Sequence, residues 1–297
     1  MSHQRDWVAD VVGLTQSAPL SRRGFMTASA AATAGYTLAA GPVRADVIKT
    51  DTAGLKAGEA KVTVAGGDMP VYFARPEAVD NAPVILVAME IFGVHEYIRD
   101  VTRRLGKLGA FAIAPDYYFR KGTDLTKITD MAQLMPLVNS KPDAELFADL
   151  DATVTWAKAQ GGNTDRLGIM GFCRGGRTVW EYAAHSSNLK AGVAFYGPLV
   201  DPDAQKAIWP KGPSQLASEI KAPVLGLYGA ADQGIPVAQV EAFRTALQAA
   251  KKAADFQIYP GAPHGFHADY RPSYRQDAAE DAWKQMQAWF RKYSVLS

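Results

Sequence analysis

The sequence predicts an α/β fold with a mostly parallel central sheet and helices on both faces. Three observations lead there. Continuous apolar runs recur along the chain at Pro83–Met89, Phe111–Pro115, Leu167–Met170, Ala191–Tyr196 and Val224–Tyr228. Unbroken apolarity marks a strand buried on both faces, as in parallel sheets. Segments of helical periodicity lie between these runs, and strands alternating with helices stack as βαβ units. One strand also runs directly into a glycine-flanked turn and then a helix.

Taken in order, residues 1–45 stand apart from the folded domain. Ser21-Arg22-Arg23-Gly24-Phe25-Met26 is a twin-arginine pattern. The weakly apolar stretch to Ala40 and the small-residue site Val43-Arg44-Ala45 complete a Tat-type signal peptide. Its apolar part is too short and too rich in Ala and Thr to span a membrane. The mature domain is therefore residues 46–297, expected in the periplasm. Lys61–Ala74 alternates about Gly66-Gly67-Asp68 and reads as a hairpin. After the strand Pro83–Met89 come a helix over Tyr97–Leu108 and the strand Phe111–Pro115. The polar stretch Lys121–Lys141 is expected to form excursion helices over the site. Pro142–Gln160 is amphipathic, with Leu146, Leu150, Val154 and Ala157 on one stripe. The strand Leu167–Met170 leads through the turn to a helix from Thr178 to about His185. The strand Ala191–Tyr196 follows, then a Pro-rich lid or surface loop over 198–220. The strand Val224–Tyr228, a helix over Pro236–Ala250 and the strand Phe256–Tyr259 come next. A closing helix over Gln276–Tyr293 turns Trp283, Met286, Trp289 and Phe290 inward.

Composition excludes several classes. The 297 residues are 48% hydrophobic and 21% charged, an ordinary globular balance. The net charge is +2, and no basic run is interleaved with aromatic residues, which disfavours nucleic acid. The leader holds Arg5, Arg22, Arg23 and Arg44 against Asp6 and Asp10, so its removal takes the net charge to zero. The single cysteine allows no internal disulfide, and no metal-ligand spacing is present.

That cysteine sits in Gly171-Phe172-Cys173-Arg174-Gly175, the G-x-S-x-G nucleophile elbow with Cys in place of Ser. A nucleophile on a sharp turn needs neighbours without bulk two residues to either side, and Gly171 and Gly175 meet that need. The turn puts Cys173 at a helix N-terminus, whose partial positive charge favours a thiolate and an oxyanion. Asp232 follows the strand Val224–Tyr228, and His264 follows the strand Phe256–Tyr259. Nucleophile, acid and His come in the order of the α/β-hydrolase triad. Each falls past the C-terminal end of a strand, where an open α/β sheet carries its site. By the hydrolase pattern, the oxyanion donors are the main-chain N–H groups of Arg174 and Ile91. Glu90 ends a fully apolar strand and needs a partner to offset its desolvation.

The chain resembles the dienelactone hydrolase family of α/β-hydrolases. The pieces that carry the resemblance are Val87–Gly93 (VAMEIFG), Ala114–Arg120 (APDYYFR), Gly171–Gly176 (GFCRGG), Gly229–Asp232 (GAAD) and His264–Arg271 (HGFHADYR). They lie within a match running from about Val62 to Tyr293. The resemblance implies that Glu90 contacts the elbow thiol and helps to deprotonate it when substrate arrives. It also implies an arginine for the substrate carboxylate just after the Pro-Asp-Tyr segment, at Arg120. A second family arginine, four residues after the His, is replaced here by Ala268. Arg271 is close enough in sequence to substitute for it. Tyr118 and Phe119 are candidates to line an apolar pocket.

The resulting expectation is a monomeric carboxylic-ester hydrolase that opens a dienelactone-type lactone with Cys173, His264 and Asp232 and uses no metal or cofactor. An exported esterase or thioesterase acting on another small ester is the alternative. A non-catalytic binding protein on a hydrolase scaffold is a further alternative of a different class. A redox-sensing thiol is disfavoured, because there is no second Cys to resolve a sulfenic acid.

Overall fold

The computed structural model describes residues 47–297, so the leader read in residues 1–45 lies outside the described residues. Eight strands form one sheet in the order β1-β2-β4-β3-β5-β6-β7-β8. β1 (Leu55–Val64) and β2 (Gly67–Pro76) are the expected hairpin, longer than the alternating pattern suggests. β2 pairs antiparallel with β1 and with β4 (Phe111–Pro115). The remaining pairings are all parallel: β4 with β3 (Pro83–Ala88), β3 with β5 (Asn163–Phe172), then β6 (Ala191–Phe195), β7 (Val224–Gly229) and β8 (Ala254–Tyr259). Every residue of β3, β4, β6 and β7 is buried, as unbroken apolar runs require.

Six α-helices cover the sheet among the described residues: α1 (Glu96–Lys107), α2 (Met131–Val138), α3 (Asp143–Ala159), α4 (Arg174–His185), α5 (Val237–Ala249) and α6 (Gln276–Lys292). Register assigns their faces. Ala74, Ala112, Ile85 and Gly168 pair in one row across four strands and point the same way. A side chain at Gly168 would meet Phe290 and Val295, and one at Gly106 would meet Ala74, so α1 and α6 share that face. Gly192 instead faces Val179 of α4. Trp180 of α4 stacks on Phe256 at 5.5 Å and meets Phe243 of α5 edge-on at 4.8 Å. Trp156 of α3 meets Phe73, which neighbours Ala74 and so faces away from α1. Each fully buried aliphatic or aromatic side chain in these layers contributes roughly 1.5–3 kcal/mol.

Two expectations change in detail. Helix α4 begins at Arg174, not Thr178, because Gly175 and Gly176 sit inside its first turn. The excursion 121–141 holds one short helix, α2, after the 3-10 turn Leu125–Lys127. Segment 198–220 is irregular as expected, with 3-10 turns at Asp203–Gln205 and Pro213–Gln215. Because β3 to β8 run parallel, Glu90, Cys173, Tyr196, Asp232 and His264 all emerge at one edge of the sheet. No helix among the described residues is long and apolar enough to cross a membrane.

Candidate active site

The elbow is built from main-chain contact. Cys173 has φ 54° and ψ −119°, a strained conformation costing about 1–3 kcal/mol for a residue with a Cβ. A Cβ at Gly171 would lie 2.3 Å from the Gly175 carbonyl, and one at Gly175 would lie 2.0 Å from the Ala88 carbonyl. These approaches press the start of α4 onto the end of β3. The Cys173 N–H donates to the Phe195 carbonyl at 3.0 Å, and its own carbonyl accepts from Gly176 at 2.9 Å and Arg177 at 3.2 Å. The turn is thus tied to β6 on one side and to its helix on the other. The thiol is buried, 1% exposed, so its surroundings govern its chemistry.

Asp232 is oriented before it meets His264. Its Oδ1 accepts from the N–H groups of Gly234 at 2.9 Å and Ile235 at 3.1 Å. Its Oδ2 lies 2.7 Å from His264 Nδ1. That pairing places a proton on Nδ1 and leaves Nε2 for the other side of the ring. The other side is Cys173. Burial works to lower the His264 pKa, but the Cys173 and Asp232 charges and their hydrogen bonds outweigh it and raise it to about 10. Tyr196, itself held at φ 37°, packs edge-on to the ring at 5.1 Å.

Glu90 is fully buried at the end of β3. Its Oε2 accepts from Tyr270 at 2.8 Å and meets His95 Nε2 at 3.2 Å, while Oε1 lies 3.3 Å from Arg271 Nη2. Burial alone would raise its pKa; Arg271, His95 and Tyr270 overcome this and hold it at about 2. The resemblance set Glu90 against the thiol, but here its carboxylate is held by these three groups and the thiol by His264. His95 and Tyr270 were not foreseen as functional. The requirement that a buried carboxylate be partnered was the signal that could have pointed to them.

The other expected residues divide. Ile91 is buried just past Glu90, two residues after Met89, whose carbonyl closely approaches Gly175 in the first turn of α4. Tyr118 is buried, and its hydroxyl contacts the Arg174 guanidinium. Arg271 is brought in through Glu90 and Tyr270, with its Nε donating to the Tyr270 hydroxyl at 2.7 Å. Ala268, the replaced family arginine, is fully buried. Arg120 is turned elsewhere: its Nη1 and Nη2 each donate to Asp149 at 2.8 Å and its Nε to the Ala65 carbonyl at 2.7 Å. Asp149 lies on α3, so the fork closes on a neighbouring helix. His267, three residues after His264, is buried and hydrogen-bonded through Nδ1 to the Tyr97 hydroxyl at 2.6 Å. Burial, then Arg104, holds it neutral with a pKa of about 3.

A cleft of about 600 Å³ borders this assembly, lined by residues including His95, Arg99, Asp116 and Phe119 but by none of Cys173, Asp232 and His264. It is therefore not the chamber over the thiol. No cluster of three or more His, Cys, Asp or Glu suited to a metal occurs among the described residues. A buried thiol touching an imidazole that is oriented by a carboxylate can carry out acyl transfer.

Known proteins share this architecture. A Methylorubrum extorquens protein named "Putative carboxymethylenebutenolidase" is 52% identical over 290 residues, covering 97% of this chain and 98% of that one. A Bradyrhizobium protein named "Probable 2-oxo-3-(5-oxofuran-2-ylidene)propanoate lactonase" is 30% identical over 221 residues, covering 74% of this chain and 88% of that one. The crystal structure titled "Putative Dienelactone Hydrolase" from Klebsiella pneumoniae is 48% identical and superposes with a TM-score of 0.77 over 80% of this chain and 99% of that one. The dienelactone hydrolase family model matches residues 69–294. With that match and these relatives, the chain belongs to the dienelactone hydrolase family, as a carboxymethylenebutenolidase-like α/β-hydrolase acting on ester bonds.

Proposed function

We propose that the protein opens a dienelactone-type lactone through Cys173, His264 and Asp232 after export to the periplasm. The observation that carries this reading is His264, joined to Asp232 at 2.7 Å on one side and to Cys173 on the other. The Cys173 sulfur attacks the lactone carbonyl, and its proton resides on His264. The tetrahedral oxyanion is met by the main-chain N–H groups of Ile91 and Arg174, donors in place before charge develops. Collapse breaks the ring C–O bond, and His264 returns its proton to the departing oxygen. Water, deprotonated by His264, then cleaves the thioester and releases the ring-opened acid. Glu90 and Arg271 keep a balanced charge pair beside this path. Entering substrate perturbs that pair and frees Glu90 to assist thiol deprotonation.

The test is steady-state hydrolysis of a dienelactone by the purified protein, with Cys173→Ala as control. Fast turnover lost in the control supports the mechanism; near-wild-type activity in Cys173→Ala refutes it. The closure of Arg120 on Asp149 favours a second reading, an esterase for a neutral substrate. Turnover of simple aryl esters with none of the dienelactone would establish that reading. Export rests on the pattern Ser21–Met26. Changing Arg22 and Arg23 together to Lys should retain the protein in the cytoplasm on fractionation.

A further inference from the structure

Arg174 enters the proposed mechanism only through its main-chain N–H. Its side chain is 7% exposed. A buried guanidinium retains its charge and five donors, so each unmet donor is costly. Here Nε and Nη2 have no hydrogen-bond partner among the described residues. The nearest carboxylate, Asp143, lies 3.9 Å from Nη2, beyond hydrogen-bond reach. It is already committed, since its two oxygens accept from Arg177 at 2.9 and 3.1 Å. Neutral groups hold Arg174 in place: its guanidinium carbon lies 3.8 Å from the Trp209 ring centroid, and Tyr118 contacts it. Asp143 faces the charge at 3.9 Å, but two of the guanidinium donors stay unmet.

The neighbouring arginines differ. Arg120 is hydrogen-bonded by Asp149 and Arg177 by Asp143, Glu181 and Asp201, and Arg271 is ion-paired with Glu90 at 3.3 Å although its Nη2 makes no hydrogen bond. The two unmet nitrogens of Arg174 also form one side of the guanidinium plane, the edge that grips a carboxylate with two parallel hydrogen bonds. The residue directly follows the nucleophile. Cys173 caps α4 and Arg174 opens it, so thiol and anchor leave adjacent positions of one turn.

We infer that the Arg174 side chain is the seat for the carboxylate of an anionic lactone or ester, gripping it through Nε and Nη2 while Trp209 backs the guanidinium plane. This rests on the hydrolase reading above and moves carboxylate recognition from Arg120 to Arg174. One residue then serves both ends of the substrate, its N–H at the oxyanion and its side chain at the carboxylate.

The test compares a dienelactone bearing a free carboxylate with its methyl ester, using the purified full-length protein and its Arg174→Gln and Arg174→Lys variants. Neither substitution removes the main-chain N–H. Arg174→Gln should lower kcat/KM on the free carboxylate by about 10- to 100-fold, the value of a charge-assisted hydrogen-bonded pair. The loss should appear mainly in KM and be much smaller on the methyl ester. Arg174→Lys should recover part of it. Equal losses on both substrates, or no loss on the carboxylate, overturn the assignment. If Arg174→Gln does not fold, Arg174→Lys decides, because an ammonium cannot reproduce the two-point grip; an unchanged KM for the carboxylate then overturns it. If the wild-type protein cleaves neither ester, the hydrolase reading fails and the anchor with it. Cleavage of both with no effect of Arg174 removes the anchor alone.

Discussion

Glu90 and Arg271 face each other across 3.3 Å with their side chains 0% and 1% exposed. A buried pair of this kind is strongly destabilising to break from one side, by about 3–5 kcal/mol, because the remaining charge is stranded. Glu90→Gln keeps the shape and removes the charge. It should lower both the melting temperature and kcat/KM, and slow alkylation of Cys173. Unchanged alkylation kinetics would remove Glu90 from thiol activation.

The same pair sets an acid limit. Glu90 is held at about 2 against an ordinary value of 4.5. A depressed carboxylate adds stability that is full above pH 4.5 and is lost as pH falls towards 2. The stability gap between wild type and Glu90→Gln, measured by urea unfolding, should therefore narrow between pH 4.5 and 2. A gap constant across that range would contradict the ionised state.

Asp232→Asn leaves the shape of the His264 contact while removing its charge. The wrong imidazole tautomer is then available, and kcat should fall by about 10³- to 10⁴-fold. Asp232 is one of the charges that raise His264 to about 10, so the basic limb of the pH–rate profile should move to lower pH. A profile with an unmoved basic limb would detach His264 from it.

Gly175→Ala should cost more than ~3 kcal/mol or prevent folding, since its Cβ meets the Ala88 carbonyl at 2.0 Å with main chain on both sides. Gly161→Ala is the contrast. Nothing lies within 4 Å of its Cβ, and only φ 83° opposes it, at a cost of about 1 kcal/mol. Similar urea midpoints for the two variants would show that the elbow tolerates displacement.

Arg177 joins Asp143, Glu181 and Asp201 beneath segment 198–220. Burial raises Glu181 well above the ordinary range, against the pull of Arg177. Arg177→Met leaves three carboxylates without their shared cation and should destabilise by about 3–5 kcal/mol. A loss below about 1 kcal/mol in urea unfolding would mean that these groups take up protons and repack.

Much of this was legible because it is local or ordered along the chain. The sheet announced itself through five apolar runs, and Cys173, Asp232 and His264 through turn chemistry and order. The helix read from Thr178 begins four residues earlier, with Gly175 and Gly176 packed close against Ala88 and Phe195 inside α4. Arg120 shows where sequence reasoning stops. Its partner Asp149 lies 29 positions further on, on another helix, and no short motif encodes that meeting. Tyr270 was hidden for the same reason, reaching Glu90 from 180 positions further on, whereas His95 stands only five residues after it. Arg174 was read for its N–H alone, since the unmet state of its side chain is visible only in three dimensions.

The position of β8 has a consequence in time. It lies at the edge of the sheet, paired only with β7, and His264 follows it. The imidazole that meets the thiol is thus synthesised after it, and a chain still emerging carries an unassisted cysteine. Edge strands also open at lower free energy than the sheet interior. On warming, hydrolytic activity should vanish before the signal of the sheet itself, so that enzyme assay and circular dichroism report two separate transitions.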